Sequence, residues 1–379
     1  MDGVVSAVAL VLFAGILALE FGISTAILEL IFGATASNLL SLENIAWMGV
    51  LANIGTLGIM FFAGFETDLK ILAKNHRKSI LIALGSYVTP FIFTFFVVYY
   101  ILGFQYNPSI LLAIGMSTTS LAIVYPYLES QGFLKMEIGQ TLLGSAMLVD
   151  LLSMLSVSIL FTGIRGDIIV FLIAVPVSAI ILPKIGLWIF KRYEKNRAEV
   201  ELRFILLLLV ALALVSEYSG VHSTIFAYIM GVIFSSILTN HEEVEKKLRG
   251  LIYGFFGPLF FFNSGYLIDL KELDFETIQL LAILTVVAFT GKYIGTRIAV
   301  KKILGRGSRL SGLFFNFRLT FGIIIALLGY QEGIISKSVY TAMLGVVLLT
   351  SIISSIFLKV TPTETIYLKR RKKRGKIGR

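Results

Sequence analysis

Apolar residues along this chain come in long, nearly unbroken runs separated by short polar stretches, with neither a period-two alternation nor a one-sided helical stripe. Runs of roughly 17 to 25 residues are long enough for a helix to cross about 30 Å of hydrocarbon. Thirteen such runs are predicted, at about 4–20, 22–36, 45–65, 79–103, 108–129, 134–162, 168–190, 200–216, 219–238, 246–268, 276–300, 310–330 and 338–360. Two of them have centres ill suited to face lipid. The fifth carries Ser117-Thr118-Thr119-Ser120 and later Pro126, and the twelfth carries Asn316-Phe317-Arg318-Leu319-Thr320 with Gly322. Both are expected to be partly unwound helices that cross, with free backbone groups and hydroxyls between their halves.

Composition narrows the class further. The chain is 57% hydrophobic with only 15% charged residues and no cysteine, and its mean hydropathy is +0.89. These values exclude a soluble domain, a disulfide framework and a thiolate metal site. The first run is preceded only by Met1, Asp2 and Gly3, without the basic segment of a signal peptide, and reads as a retained span.

Charge supplies an independent check on the segmentation, because Lys and Arg gather in alternate loops when the spans are counted correctly. One side receives Lys70, Lys74, Arg77 and Lys78, then Lys135, then Lys191 to Arg203, then Lys246 to Arg249, then Lys301 to Arg309, and finally the tail from Lys359 to Arg379. Arg165, Lys271 and Lys337 fall on the other. The bias places the amino end outside and the carboxyl end in the cytoplasm of a plasma-membrane protein. The net charge of +10 thus reads as a topology signal and an anchor to anionic lipid, with no nucleic-acid partner.

An internal repeat appears when the chain is slid by 201 residues. Phe61-Phe62-Ala63-Gly64-Phe65, then Asp68-Leu69-Lys70, falls on Phe262-Asn263-Ser264-Gly265-Tyr266, then Asp269-Leu270-Lys271. Gly132 falls on Gly333 and Leu143-Gly144 on Leu344-Gly345, while Gly22 to Gly33 falls on Gly220 to Gly231 after a shift of three residues. Equivalent spans are seven crossings apart, so the second copy runs inverted through the membrane, an architecture of secondary transporters. The fold class is therefore an all-α polytopic membrane protein of two inverted six-helix repeats. It forms a single transmembrane domain with repeat one at about 4–162, a linker helix at 168–190, repeat two at 200–360 and a basic tail at 361–379.

Charges within the spans are the candidate chemistry, since each costs at least about 2.5–3.5 kcal/mol at mid-bilayer on insertion scales. Asp150 lies near the middle of span six, with Ala146 and Ser153 on its helical face leaving room beside the carboxylate. Such a group is neutralised by a proton or by a cation such as Na+, which is the competition an exchanger needs. A structural Asp locked in an ion pair is the other reading. Lys292 lies too deep in span eleven to reach the interface easily, and Gly291 and Gly295 beside it invite close packing, so it is expected to point into the bundle towards a carboxylate, a snorkelling or purely structural lysine being the other reading. Arg318 either neutralises helix carboxyl ends or takes part in transport directly. Thr118, Thr119 and Ser120 either contact the ion or act as packing glue, and Glu29 either lines a cavity or bonds a neighbouring helix. His222 reads as interfacial, and Asp68 and Asp269 as helix-end contacts. No Gly-x-x-x-x-Gly-Lys-Ser/Thr loop occurs, which argues against an ATP-driven pump, and the fragment Gly305-Arg306-Gly307 is too short for a dinucleotide site. No paired carboxylates, His-Glu-x-x-His helix or Ser/His pair suggests an enzyme.

Over nearly its whole length the chain resembles the cation:proton antiporter-2 family of Na+/H+ antiporters and K+ efflux proteins. The likeness is carried by Gly58 to Leu69, Ser117 to Ser120, Gly139-Gln140 through Asp150, Phe256 to Phe261 with Gly265, Gly291-Lys292, and Arg318. The resemblance implies a homodimer with a dimerisation domain and a core domain, the core holding two crossed unwound helices beside an ion-binding Asp. By position that Asp is Asp150, and the family's buried lysine is Lys292, here a charge partner for Asp150 or Glu29. The sequence departs from the family in two places: Val149 precedes Asp150 where many sodium-transporting members carry a second acid, Asn or Gln, and Leu319-Thr320 follow Arg318 where Gly-Glu is common. The implied activity is alternating-access exchange of Na+ or Li+ for H+ with no cofactor. K+/H+ exchange is the alternative, and the short tail without a nucleotide-binding domain favours sodium over it. From another class, a passive cation channel or a non-transporting ion sensor remains to be separated by proton coupling.

Overall fold

The computed structural model describes residues 2–40, 46–67, 76–162, 181–193, 199–219, 223–238 and 241–360, and every element among them is helical. Asp68, Lys70, Arg165, His222, much of the 168–190 span and the basic tail lie outside these residues. In chain order the helices are α1 (Asp2–Phe21), α2 (Thr25–Asn38), α3 (Ala46–Phe65), α4 (His76–Phe96, continued by a π-helical turn Val97–Ile101), α5 (Tyr106–Ser117), α6 (Leu121–Ser130) and α7 (Glu137–Thr162). They continue with α8 (181–193), α9 (Val200–Ser219), α10 (Ser223–Leu238), α11 (Glu242–Leu251), a π-helical segment Ile252–Phe256 and α12 (Gly257–Tyr266). The last are α13 (Phe275–Ile303), α14 (Ser308–Phe314), α15 (Leu319–Gln331) and α16 (Lys337–Val360). Among the described residues, six segments are long and apolar enough to cross a bilayer: Trp47–Phe65, His76–Ile101, Glu137–Phe161, Phe275–Ile303, Ser308–Gln331 and Lys337–Lys359. The chain is an all-helical membrane protein.

Two compact units are built from interleaved segments. The first comprises residues 1–68 and 154–271, the second residues 69–153 and 272–379, and the boundary falls inside α7.

In lipid, apolar side chains gain little by leaving the solvent, so helices associate where small residues let backbones touch. The first unit does this at two crossings. Between α3 and α10, a methyl group on Gly64 would lie 1.9 Å from the Tyr228 carbonyl oxygen, and one on Gly231 would lie 1.8 Å from that of Phe61. Between α2 and α12, a methyl on Gly265 would lie 1.9 Å from the Leu30 oxygen, and one on Gly33 would lie 2.0 Å from that of Phe262. Gly64 and Phe61 are the repeat equivalents of Gly265 and Phe262, as Gly33 and Leu30 are of Gly231 and Tyr228. The two crossings are thus one contact made twice, the twofold relation expected of the internal repeat. The repeat extends into the second unit, where Gly132 and Gly333 follow α6 and α15 and both have φ of +67°.

The second unit packs α4 against α13 in the same manner: a methyl on Gly295 would lie 2.3 Å from the Gly85 oxygen, and one on Gly291 would lie 3.0 Å from Pro90 Cα. Asp274 caps the start of α13, its Oδ1 accepting the Thr277 N–H at 2.8 Å, and that bond holds the carboxyl below the usual carboxylate range. Residues of α6, α7 and α14 close a core around Leu128, Phe133, Leu142, Met147, Leu310 and Phe314.

Candidate functional site

Both segments with unsuitable centres are interrupted. Helix α5 stops at Ser117, Thr118 and Ser120 take extended backbone angles, and α6 begins at Leu121. Helix α14 stops at Phe314, and α15 begins at Leu319 after a turn ending in Arg318. Broken helix frees backbone donors and acceptors, which must find partners inside the protein. The two breaks supply each other's. The Ser120 N–H donates to the Phe317 carbonyl at 2.7 Å, Thr119 Oγ1 donates to the Phe315 carbonyl at 3.3 Å, and the hydroxyls of Ser120 and Thr320 lie 3.1 Å apart. Nearer the end of α5, Ser117 Oγ donates to the Ala113 carbonyl and Thr118 Oγ1 to that of Gly115. The hydroxyl run at Ser117–Ser120 is what permits the chain to unwind here, and all four residues are fully buried.

The carboxyl end of a helix carries partial negative charge on its last carbonyls. At the end of α5 two cations take them. Arg318 Nε donates to the Met116 carbonyl at 2.8 Å, and Lys292 Nζ donates to that of Ser117 at 2.5 Å. The rest of the Arg318 guanidinium is held by the Asn316 carbonyl and Oδ1 and by the Ala288 carbonyl, at 3.0 and 2.8 Å for the Nη2 contacts. Asn316 is itself fixed by donating to the Gly312 carbonyl at 2.8 Å. The acceptors of Arg318 are therefore all neutral oxygens in fixed positions, which makes it a standing positive charge.

Asp150 lies on α7 and is 1% exposed, with Ala146 and Ser153 on its face fully buried. It attracts the Lys292 ammonium, which Arg318 repels. These three are the buried charged side chains of the second unit among the described residues. The position that precedes Asp150 is committed to packing: Val149 forms an apolar cluster with Ala83 and Tyr87 of α4, flanked by Phe91, Leu148 and Leu152. The unit thus gathers one carboxylate and two cations around the crossed breaks, with Thr118, Thr119 and Ser120 at the crossing itself. Glu29, on α2, belongs to the first unit and is 4% exposed. One buried carboxylate in the field of Lys292 has the chemistry to hold either a proton or a small cation.

One contact at this site has little mark in the sequence. Thr296, one turn beyond Lys292 on α13, donates to Ser86 Oγ of α4 at 3.0 Å, and both residues are fully buried. It ties the two helices beside their glycine crossing and so holds the register from which Lys292 reaches Ser117. Its sequence signal is only that Thr296 shares a helical face with Lys292. Removing one partner of a buried hydroxyl pair strands the other, at about 1–3 kcal/mol, whereas removing both is nearly neutral. Thr296→Val is accordingly expected to destabilise the protein more than the double variant Ser86→Ala/Thr296→Val, read from melting curves of the purified protein in detergent; equal or additive losses would refute a coupled pair.

Comparison with known proteins gives the chain's family and fold. Residues 8–362 match the family model described as sodium/hydrogen exchanger, transmembrane. A probable Na+/H+ antiporter of Methanocaldococcus jannaschii is 27% identical over 349 residues, covering 89% of both chains. The Na+/H+-K+ antiporter GerN of Bacillus cereus is 28% identical over 333 residues, 84% of each. In fold, the chain is similar to the sodium proton antiporter MjNhaP1 of Methanocaldococcus jannaschii at pH 8, with a TM-score of 0.65 over 95% of this chain and 96% of that one at 14% identity. With a family model spanning almost the whole chain, the protein belongs to the sodium/hydrogen exchanger family.

Proposed function

We propose that this protein is a secondary active transporter that exchanges Na+ or Li+ for H+ at Asp150 by alternating access. The observation that carries the reading is a single carboxylate, 1% exposed, that attracts Lys292 beside two interrupted helices. A buried carboxylate is not comfortably left bare, so departure of a proton favours arrival of a cation and the reverse. In this reading Lys292 tunes the affinity of Asp150 for both, Arg318 holds the negative end of α5, and the hydroxyls and carbonyls of Thr118 to Ser120 complete the ion's oxygen shell. The bundle that carries Asp150 moves to expose it to either side. No cofactor and no bond-making step are needed.

The charge bias of the loops supports a multi-pass plasma-membrane protein with its amino end outside and carboxyl end in the cytoplasm, held by anionic lipid at its basic tail. The resemblance to antiporters of this family supports a homodimer. K+ is the second cation to be weighed, because one relative is named a Na+/H+-K+ antiporter.

The test is reconstitution into vesicles carrying an imposed pH gradient and a pH-sensitive dye. Na+ and Li+ are expected to collapse the gradient and K+ to do so weakly. An equal response to K+ would replace the sodium reading, and a cation current that flows without any pH gradient would replace the exchanger with a channel.

A further inference from the structure

Glu29 is a buried acid with no part in exchange at Asp150. It is 4% exposed on α2, and no hydrogen bond or ion pair with a described residue reaches its carboxyl. Its surroundings follow from the antiparallel pairing of α1 with α2. The Ile23 N–H donates to the Ala18 carbonyl at 3.0 Å, the rings of Phe13 and Phe32 are 5.8 Å apart, and Ala7 and Ala36 share a cluster. These contacts put Glu29 level with Ala14 and Gly15. Glu29, Phe32 and Ala36 stand at i, i+3 and i+7, so the acid lies on the stripe that α2 presents to α1. Ala14 is fully buried, and a methyl built on Gly15 would meet nothing within 4 Å, so there is room at this level but no polar partner. The glycine crossing of α2 with α12 prevents α2 from turning the acid elsewhere.

We propose that Glu29 is a proton site other than Asp150, one that keeps its proton while α1 and α2 remain packed and yields it to water only when they part. A metal ion needs several oxygens at once, and residues 11–18 of α1 bring only apolar side chains to this level. A proton needs one. On release the carboxyl O–H bond breaks, the proton passes to water, and the carboxylate left behind faces apolar side chains of α1, so its hydration improves when the helices part. Parting of the α1–α2 hairpin is thereby tied to rising pH. Other titratable groups on the helices packed here are Asp2 and Glu20 at the ends of α1 and Tyr266 at the end of α12; α3 carries none. The inference rests on the exchange reading only for its effect on transport.

Infrared difference spectra of the full chain in lipid test it, comparing wild type, Glu29→Gln, Asp150→Asn and the double variant. At neutral pH a protonated-carboxyl band is expected in wild type and in Asp150→Asn, absent when Glu29 is Gln, fading as pH rises and unmoved by Na+. In vesicles, Glu29→Gln is expected to flatten the alkaline limb of the pH profile. A wild-type spectrum that Glu29→Gln leaves unchanged would overturn the proposal, as would a band that Na+ abolishes at constant pH. Should Glu29→Gln fold poorly, Glu29→Met fills the volume without the acid and gives the same comparison. Because the band is read in the Asp150→Asn background, its presence or absence is decided independently of whether the chain exchanges ions.

Discussion

Vesicles containing the Asp150→Asn variant are expected to collapse an imposed pH gradient no faster than protein-free vesicles, whichever cation is added. The expectation follows from what the substitution spares as well as from what it removes. Asparagine matches aspartate in shape, so Ala146 and Ser153, both fully buried beside it on α7, keep their packing. The ammonium of Lys292 keeps the Ser117 carbonyl as its acceptor, and Arg318 keeps its carbonyls. The charge is lost, which relieves an insertion cost of about 2.5–3.5 kcal/mol, while Lys292 loses the attraction of that charge but keeps its carbonyl acceptor, so the two effects oppose. Melting in detergent should therefore be little changed while exchange disappears. With no second acid at position 149, nothing takes over: Val149 faces Ala83 and Tyr87 in an apolar cluster. Undiminished cation-dependent proton movement in this variant would remove Asp150 from the centre of the mechanism.

Much of this fold could be read from hydropathy because lipid imposes one demand on every span. The predicted 45–65 and 338–360 runs correspond to Ala46–Phe65 and Lys337–Val360 within a residue or two. The interruptions at 118–120 and 315–318 were legible as well, because hydroxyls, an amide and an arginine at mid-span have no place on continuous lipid-facing helix. The run at 246–268 was less transparent. It becomes α11, a π-helical segment at Ile252–Phe256 and α12, and a π turn differs from an α turn by one residue of register with no compositional mark. Helix α11 also begins at Glu242, upstream of the apolar run, with Glu242, Glu243 and Glu245 in its first turn where acids suit the helix dipole.

Within the site, the identities of the charged residues were visible and their partners were not. A buried lysine suggests a carboxylate, and Asp150 does attract Lys292, yet the oxygen that receives its proton at 2.5 Å is the backbone carbonyl of Ser117. Backbone carbonyls are the same at every residue, so no side-chain pattern announces which of them a broken helix will expose. The Ser86–Thr296 bond was hidden for a related reason, since hydroxyls within membrane helices most often bond to their own preceding turn, as Thr141, Ser145 and Ser153 do here.

The glycines show the opposite case, in which a sequence repeat foretells energetics. Alanine in place of Gly64, Gly231, Gly33 or Gly265 would put a methyl carbon 1.8–2.0 Å from a backbone oxygen of the facing helix, well inside contact distance. Backbone cannot rotate aside as a side chain can, so each crossing must open, at about 1–3 kcal/mol or more for overpacking. Gly49 lies on the same helix as Gly64, and a methyl there meets nothing within 4 Å. Alanine at Gly49 gains helix propensity and is expected to stabilise by about 0.5–1 kcal/mol. Melting temperatures in detergent should thus fall for Gly64→Ala and rise slightly for Gly49→Ala, though the two changes are chemically identical and share α3. The repeat adds a sharper requirement. Gly64→Ala and Gly265→Ala occupy equivalent positions in the two copies and should cost alike, as should Gly33→Ala and Gly231→Ala. A large loss at one member of a pair and none at the other would mean that the two crossings, though alike in geometry, do not carry the fold equally.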